Sequence, residues 1–376
     1  MNPQSALIDN AAARLAALAS VPAPVVTGFD GFVDEMISLV AERKSLEHFD
    51  PVPDIATFGA LVSAAAGQSS LREIVVQAVH PGGCAINLGD GLAALGVPVD
   101  CFATLGEPAH PAFAETTSRF RSAHSWGREP GRTLAFEFSD GKLMFSSVRQ
   151  LAEFTAADVS MRLADGAYLA ACREAAVIAL TDWSLYPHMN GVWRMLRDAV
   201  YAHLEHHPHF FLDLVDPSSR SGADILAMLE ILPGFEPSGP VTLGLNGNEA
   251  NVLARLLDLP ESKSDREDSQ RLAGRLRWRL GISTVVIHQP RFAVASGHNG
   301  SAMVSGPHCA SPLKSTGAGD RFNAGYCLGL LAGGTLEDCL VLGSAASGFF
   351  VRKARSAARA ELAAFLQMWK ANFGLP

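Results

Sequence analysis

The stretch Lys314 to Tyr326, KSTGAGDRFNAGY, holds the residues whose types and spacing come closest to a reaction centre. Glycines at 317 and 319 let the backbone turn tightly just ahead of an apolar run, 322 to 333, that reads as a helix. A helix start leaves several N–H donors unpaired, and these donors converge with the positive end of the helix dipole on one spot. Such a spot cradles an anion. Asp320 falls in the first turn beside it, where a carboxylate can take the proton of an attacking hydroxyl while the amides hold a transferring phosphoryl group. Taken alone, the segment reads more readily as a glycine-rich turn with Asp320 as an ordinary helix cap.

Other constellations are weaker. In HPGGCAINLGDGLAALG, residues 80 to 96, Gly82 and Gly83 permit close backbone approach to a ligand, and the Asn87 amide can both donate to and accept from hydroxyls. The alternative is a helix start with Asn87 facing solvent. His203, Glu205, His206, His207 and His209 include one i, i+4 histidine pair, but Pro208 ends that helix and no third ligand motif follows, so an exposed helix end is expected rather than zinc. The six cysteines form no CxxC pair and sit mostly in apolar runs, as reduced core residues do. No GxGxxG follows the first strand and no GxxxxGK[ST] occurs, which argues against a dinucleotide oxidoreductase or a Walker-type ATPase.

The elements that must position these residues are those of a doubly wound α/β domain. AAVIALTDW (175 to 183), FFLDLVD (210 to 216), VTLGL (241 to 245) and TVVIH (284 to 288) are continuous apolar runs separated by helical patterns, the mark of buried parallel strands. The pattern begins with APVVTGF at 23 to 29, a helix at 85 to 95 and a strand near 99 to 104, and it places ligands at the carboxyl ends of the strands. One segment breaks it: TLAFEFSDGKLMFSSV, 133 to 148, is a hairpin around Ser139, Asp140 and Gly141, and belongs to a small β lid instead. Parts of 35–80, with a helix near Ile55 to Ala66, complete this lid subdomain with 132–149, within a single domain spanning 1–376.

The chain of 376 residues, 48% hydrophobic and 18% charged, can bury a substantial core. Its 30 Lys plus Arg against 38 Asp plus Glu, with no basic block, leave nucleic acid an unexpected partner. No window suits a membrane span and the amino terminus lacks the order of a signal peptide, so a cytoplasmic protein is expected.

TGAGDRFNAG resembles the carboxy-terminal signature of the PfkB (ribokinase-like) carbohydrate kinases, and 80 to 96 resembles their amino-terminal GG and Asn signature. The resemblance implies a ribokinase-like doubly wound, mostly parallel sheet flanked by helices, with a small β lid. It implies an ATP-dependent kinase for a sugar or polyol hydroxyl, with Gly317, Ala318 and Gly319 as anion hole, Thr316 beside the nucleotide and Asp320 as base. A nucleoside kinase of this fold, or a silent sugar-binding protein, is the alternative. Within TGFDGFVDEM, 27 to 36, the family's substrate-binding Asp falls on Asp34 or on Asp30, with Gly82, Gly83 and Asn87 completing the acceptor site. LGLNGNEANVL, 243 to 253, resembles the family's NxxE motif, which places Asn246 and Glu249 near Mg²⁺ through water, or else as helix caps. DPSSR at 216 to 220 resembles a DPNxR stretch, with Asp216 or Arg220 toward the phosphates. A homodimer through the lid is a further expectation of the family. The chain departs from the pattern at Gln289 to Phe292, where a Gly-containing turn is usual, at Arg321, which is bulkier than the usual residue, and at Lys314, where relatives carry an Asp that helps to hold potassium.

Overall fold

The computed structural model describes residues 3–263 and 265–372. Its strands are β1 (Val25–Gly28), β2 (Phe32–Arg43), β3 (Phe49–Pro51), β4 (Ile74–Gly82), β5 (Val99–Ala103), β6 (Ser122–Ser125), β7 (Gly131–Phe138), β8 (Gly141–Ser147), β9 (Val177–Leu180), β10 (His209–Asp213), β11 (Val241–Asn246), β12 (Thr284–Gln289), β13 (Phe292–Gly297) and β14 (Gly300–Ser305). Nine of them form one sheet in the order β14-β13-β12-β11-β10-β9-β1-β5-β6. The pairs from β12 through β6 are parallel, while β13 and β14 add an antiparallel edge.

The apolar runs become buried strands because each feeds two cores. Ile178 and Leu180 of β9, and Phe210 and Leu212 of β10, point into one core; Val177, Ala179 and Phe211 point into the other. This is the two-residue alternation of a strand covered on both faces. The first core is closed by helices Met189–Ala199, Gly222–Leu229, Gly247–Leu256 and Arg266–Leu280. Helices Pro3–Ala17, Cys84–Ala94, Ala318–Leu331, Leu336–Lys353 and Arg359–Ala371 close the second. Fully buried aromatics such as Trp193, Phe210 and Phe235 each contribute roughly 1.5–3 kcal/mol of burial. Among the described residues, no helix is long and apolar enough to cross a membrane.

The hairpin read at 133 to 148 is β7 and β8, and it lies in a separate sheet. There β2 is the central strand, pairing with β4 and β3 antiparallel and with β7 parallel. The helix near 55 is Ile55–Ala64, capped by Asp54.

Two chain segments join the sheets where the chemistry was expected. Residues 29–31 link β1 to β2, and Gly83 links β4 to the helix Cys84–Ala94. Gly83 has φ 98°, and a β-carbon there would lie 2.6 Å from the Asp30 carbonyl oxygen, so only glycine fits this crossing. The helix that follows has no cap from its own chain neighbours. Asp30 supplies it from 54 residues away, accepting from the Cys84 amide, from the Ala85 amide at 2.8 Å and from the Thr181 hydroxyl at 2.7 Å.

Candidate active site

Asp30, one of the two aspartates read as a substrate anchor, holds a structural place in this arrangement. Its carboxylate is 1% exposed and already accepts three hydrogen bonds, so it binds the two sheets and a helix start together. Burial raises its pKa, against the pull of those bonds. Asp34 is the partly exposed carboxylate of the pair. It sits on β2 in register with His80 of β4 and Thr133 of β7. Burial raises its pKa, and the Thr133 hydroxyl, Lys142, Lys314 and His80 work the other way. Gly82 has no room for a side chain because the Asp34 carboxylate occupies it.

The helix Ala318–Leu331 begins at Gly317, whose φ of 85° turns the chain into it. No side chain caps this start, the Ala318 amide donates to the Ser315 carbonyl at 3.0 Å, and Asp320 lies in the first turn. A β-carbon built on Gly317 would stand 2.9 Å from Arg321 Nη1, 3.7 Å from Asn87 Nδ2 and 3.7 Å from Asp320 Oδ2. The space over Gly317 is therefore ringed by a cation, an amide donor and a carboxylate, drawn from two helices.

Asp320 is buried, and its pKa is raised to about 7. Loss of hydration is the main cause; Asp213 and Asp30 push the same way, while the Arg321 guanidinium and the Cys84 thiol oppose. A carboxyl held there is ionised in a large fraction of molecules at neutral pH and still basic enough to accept a proton.

On the far side of this helix start lies a cavity of about 640 Å³, lined by Asn246, His288, Gln289, Pro290, Ala318 and Gly319 among others. Ser315, not Thr316, lines it. The unusual segment at 289 to 292 is the tight turn from β12 to β13, with Gln289 paired to Phe292, and it borders this cavity through Gln289 and Pro290. His288 is half-buried against the Phe322 ring at 4.7 Å, and loss of hydration lowers its pKa to about 4, so the imidazole beneath Gly319 is neutral. A second cavity of about 600 Å³ opens toward His80, Asn87, Asp90, Lys314, Arg321 and Phe350.

Asn246 and Glu249 form a capping box on the helix Gly247–Leu256. Asn246 Oδ1 accepts from the Asn248 and Glu249 backbone amides, and the Glu249 carboxylate accepts from the Asn246 backbone amide at 2.8 Å and from Asn246 Nδ2 at 2.7 Å. Burial, with Asp213, Asp216 and Asp320 nearby, raises the Glu249 pKa to about 8. Arg220 does not face this region: it donates to the carbonyls of Trp183, Ser184, Tyr186 and Pro187 and pairs with Asp224. His206 and His207 bond backbone carbonyls of Ala175 and Ser238.

Two acids went unread in the sequence. Asp213 ends β10, accepting from the Asn323 amide at 2.5 Å and the Val215 amide at 2.9 Å, and Asp182 follows β9, accepting from the Leu185 amide at 3.0 Å. Burial raises the pKa of both. Each is an acid at the carboxyl end of an apolar run, a position that by itself marks the ligand side of a parallel sheet.

A doubly wound, mostly parallel sheet with a separate small sheet, and a buried carboxylate at the helix start where the two meet, define a ribokinase-like carbohydrate kinase. The model of the prokaryotic ketohexokinase family matches residues 6–369, and the chain belongs to that family. It is thus a phosphotransferase with a sugar hydroxyl as acceptor. A ketohexokinase of Haloferax volcanii is 29% identical over 346 residues, covering 91% of this chain and 90% of that protein. Among solved structures, the ribokinase of Arabidopsis thaliana complexed with ribose and ATP shares the fold with a TM-score of 0.61 at 19% identity, covering 92% of this chain and 99% of the other. A carbohydrate kinase of Agrobacterium tumefaciens has a TM-score of 0.62 at 17% identity, with 92% and 97% covered.

Proposed function

We propose that this protein transfers the γ-phosphoryl group of ATP to a hydroxyl of a ketohexose, with Asp320 as general base and the amides of Gly317, Ala318 and Gly319 as anion hole. The observation that carries this reading is the space over Gly317, where a carboxylate with a pKa of about 7 lies at a helix start that no side chain caps. The ketohexose comes from the likeness to the Haloferax ketohexokinase.

In this reading Asp34 and Asn87 hold acceptor hydroxyls, with Gly82 and Gly83 allowing the backbone close to the sugar. The small sheet, from parts of 35–80 and 132–149, acts as a lid over it within one domain. The nucleotide fills the cavity that runs from Gly319 to Gln289, so that its terminal phosphate meets the helix start. Asp320 takes the hydroxyl proton as the oxygen attacks, and the amides hold the charge of the transferring group. The residues present suit Mg²⁺: burial, with Asp213, Asp216 and Asp320 nearby, raises the Glu249 carboxyl pKa, a strain that a divalent cation relieves. Asn246 and Glu249 would face it, and Mg²⁺ would supply charge neutralisation to the phosphates.

The test is ADP release in Mg·ATP with ketohexoses, aldoses, polyols and nucleosides as acceptors. A ketohexose is expected to give the highest kcat/KM; no acceptor-dependent ADP release from any of them refutes the reading.

A further inference from the structure

Arg321 stands directly after the base and is 8% exposed, an unusual place for a cation with no substrate in view. Its fork is fixed on one side only. Nη2 donates to Asp90 Oδ2 at 2.8 Å, Nε donates to Ser356 Oγ at 3.1 Å, and the guanidinium lies 4.5 Å over the Phe350 ring. Ser356 donates in turn to Asp90 at 2.6 Å, which locks the acceptor oxygen. The charge is not cancelled by this, because Asp90 is shared with Arg119 at 2.8 Å, leaving two guanidiniums on one carboxylate. Nη1 has no protein partner among the described residues, and it is the atom 2.9 Å from the point where a Gly317 β-carbon would sit.

We propose that Arg321 is a catalytic residue whose free Nη1 donates to the phosphoryl group as it crosses the space over Gly317. The inference rests on the reading of Asp320 as the base. In the transfer, the acceptor oxygen forms its bond to the γ-phosphorus as the bond to the bridging oxygen breaks. That electron pair leaves on ADP, and the acceptor proton goes to Asp320. The negative charge on the equatorial oxygens then lies against a donor already in place, which needs no reorganisation at that moment. Asp90 and Ser356 set the direction of the fork and are positioning residues.

The discriminating variants are Arg321→Gln, which keeps length and a donor for Asp90 but removes the charge, and Arg321→Lys, which returns it. With Mg·ATP and the best ketohexose, Arg321→Gln is expected to lose about 10²–10³ in kcat, with the sugar KM nearly unchanged. The low-pH limb of kcat is expected to move to higher pH, since the cation favours the ionised form of Asp320. Among the groups that act on that carboxyl (Asp30, Cys84, Asp182, Asp213, Glu249 and Arg321), Arg321 is the cation, so the limb reports its removal. Arg321→Lys is expected to recover part of the rate and to return the limb toward its original position. A folded Arg321→Gln with near-normal kcat and an unmoved limb overturns the proposal, as does Arg321→Lys no faster than Arg321→Gln. If Arg321→Gln fails to fold, Arg321→Met in the presence of guanidinium at low concentration decides: rescue of kcat supports the proposal and its absence overturns it. Asp320→Asn, run alongside, separates the two ideas, because an active Asp320→Asn removes the base itself, whereas an inactive one with normal Arg321 variants removes only this inference.

Discussion

Asp320→Asn is expected to abolish turnover and, at the same time, to make the fold more stable. A carboxyl that titrates near 7 in the folded chain and at 3.8 in the open chain carries about 4 kcal/mol of charging penalty once ionised. Asparagine has the same shape, and its side-chain oxygen can accept from the Cys84 thiol as the aspartate does, so most of that penalty is relieved without a new void. We expect a gain of about 2–4 kcal/mol at pH 8. The sign follows from the raised value. Below about pH 4 both states of the wild-type chain hold the proton and the two proteins are alike. Between about 4 and 7 only the folded state holds it, so wild-type stability falls as pH rises, by up to about 1.4 kcal/mol per unit, and the difference levels off above 7. Urea unfolding of both proteins from pH 5 to 8.5 measures this. A difference that does not change with pH, or an Asp320→Asn protein less stable at pH 8, would refute the argument from burial.

Four further outcomes follow from the same structure. The kcat of the wild-type protein is expected to fall on acidification with a midpoint near pH 7, as Asp320, the proposed base, gains its proton; a profile flat down to pH 5 contradicts this. Asp30→Ala is expected to cost about 1–3 kcal/mol in thermal or urea unfolding, because it leaves buried amides at Cys84 and Ala85 unpaired. Asp34→Ala is expected to raise the sugar KM about tenfold or more with the ATP KM unchanged, measured by ADP release; an unchanged sugar KM removes it from the acceptor site. Activity is expected to be the same in potassium and sodium at constant ionic strength, since Lys314, with Nζ 5.7 Å from the Phe350 ring, and Arg321 put fixed positive charge where an ion would add it; several-fold activation by potassium contradicts that.

The parallel strands were legible because burial on both faces demands unbroken apolar runs, and the helix at 318 was legible because glycine spacing and an acid in the first turn are local signals. The edge strands β13 and β14 were not read, because they form an antiparallel hairpin turning at His298 and Asn299 and so fall outside the alternation of strand and helix. That β7 joins β2 in parallel was equally hidden, since pairing between segments about a hundred residues apart leaves no local trace. The capping role of Asp30 was hidden because Cys84 and Thr181 lie 54 and 151 residues from it in the chain. The capping role of Asn246 was open in the sequence as an alternative, and the structure displays it.

The division of labour between the two sheets has an evolutionary corollary. Asp320 and the helix start at Gly317 belong to the large sheet's helices, while Asp34 and His80 belong to the small sheet, and the two are joined at the Asp30 cap and at Gly83. In the proposed reaction, substitutions on β2, β4 and β7 are expected to redraw which molecule is accepted without disturbing how the phosphoryl group is handled, so long as that joint is kept. Directed evolution toward a new acceptor should accumulate its changes there, and lineages that change acceptor should diverge fastest in the small sheet while the segment from Gly317 to Asn323 stays fixed.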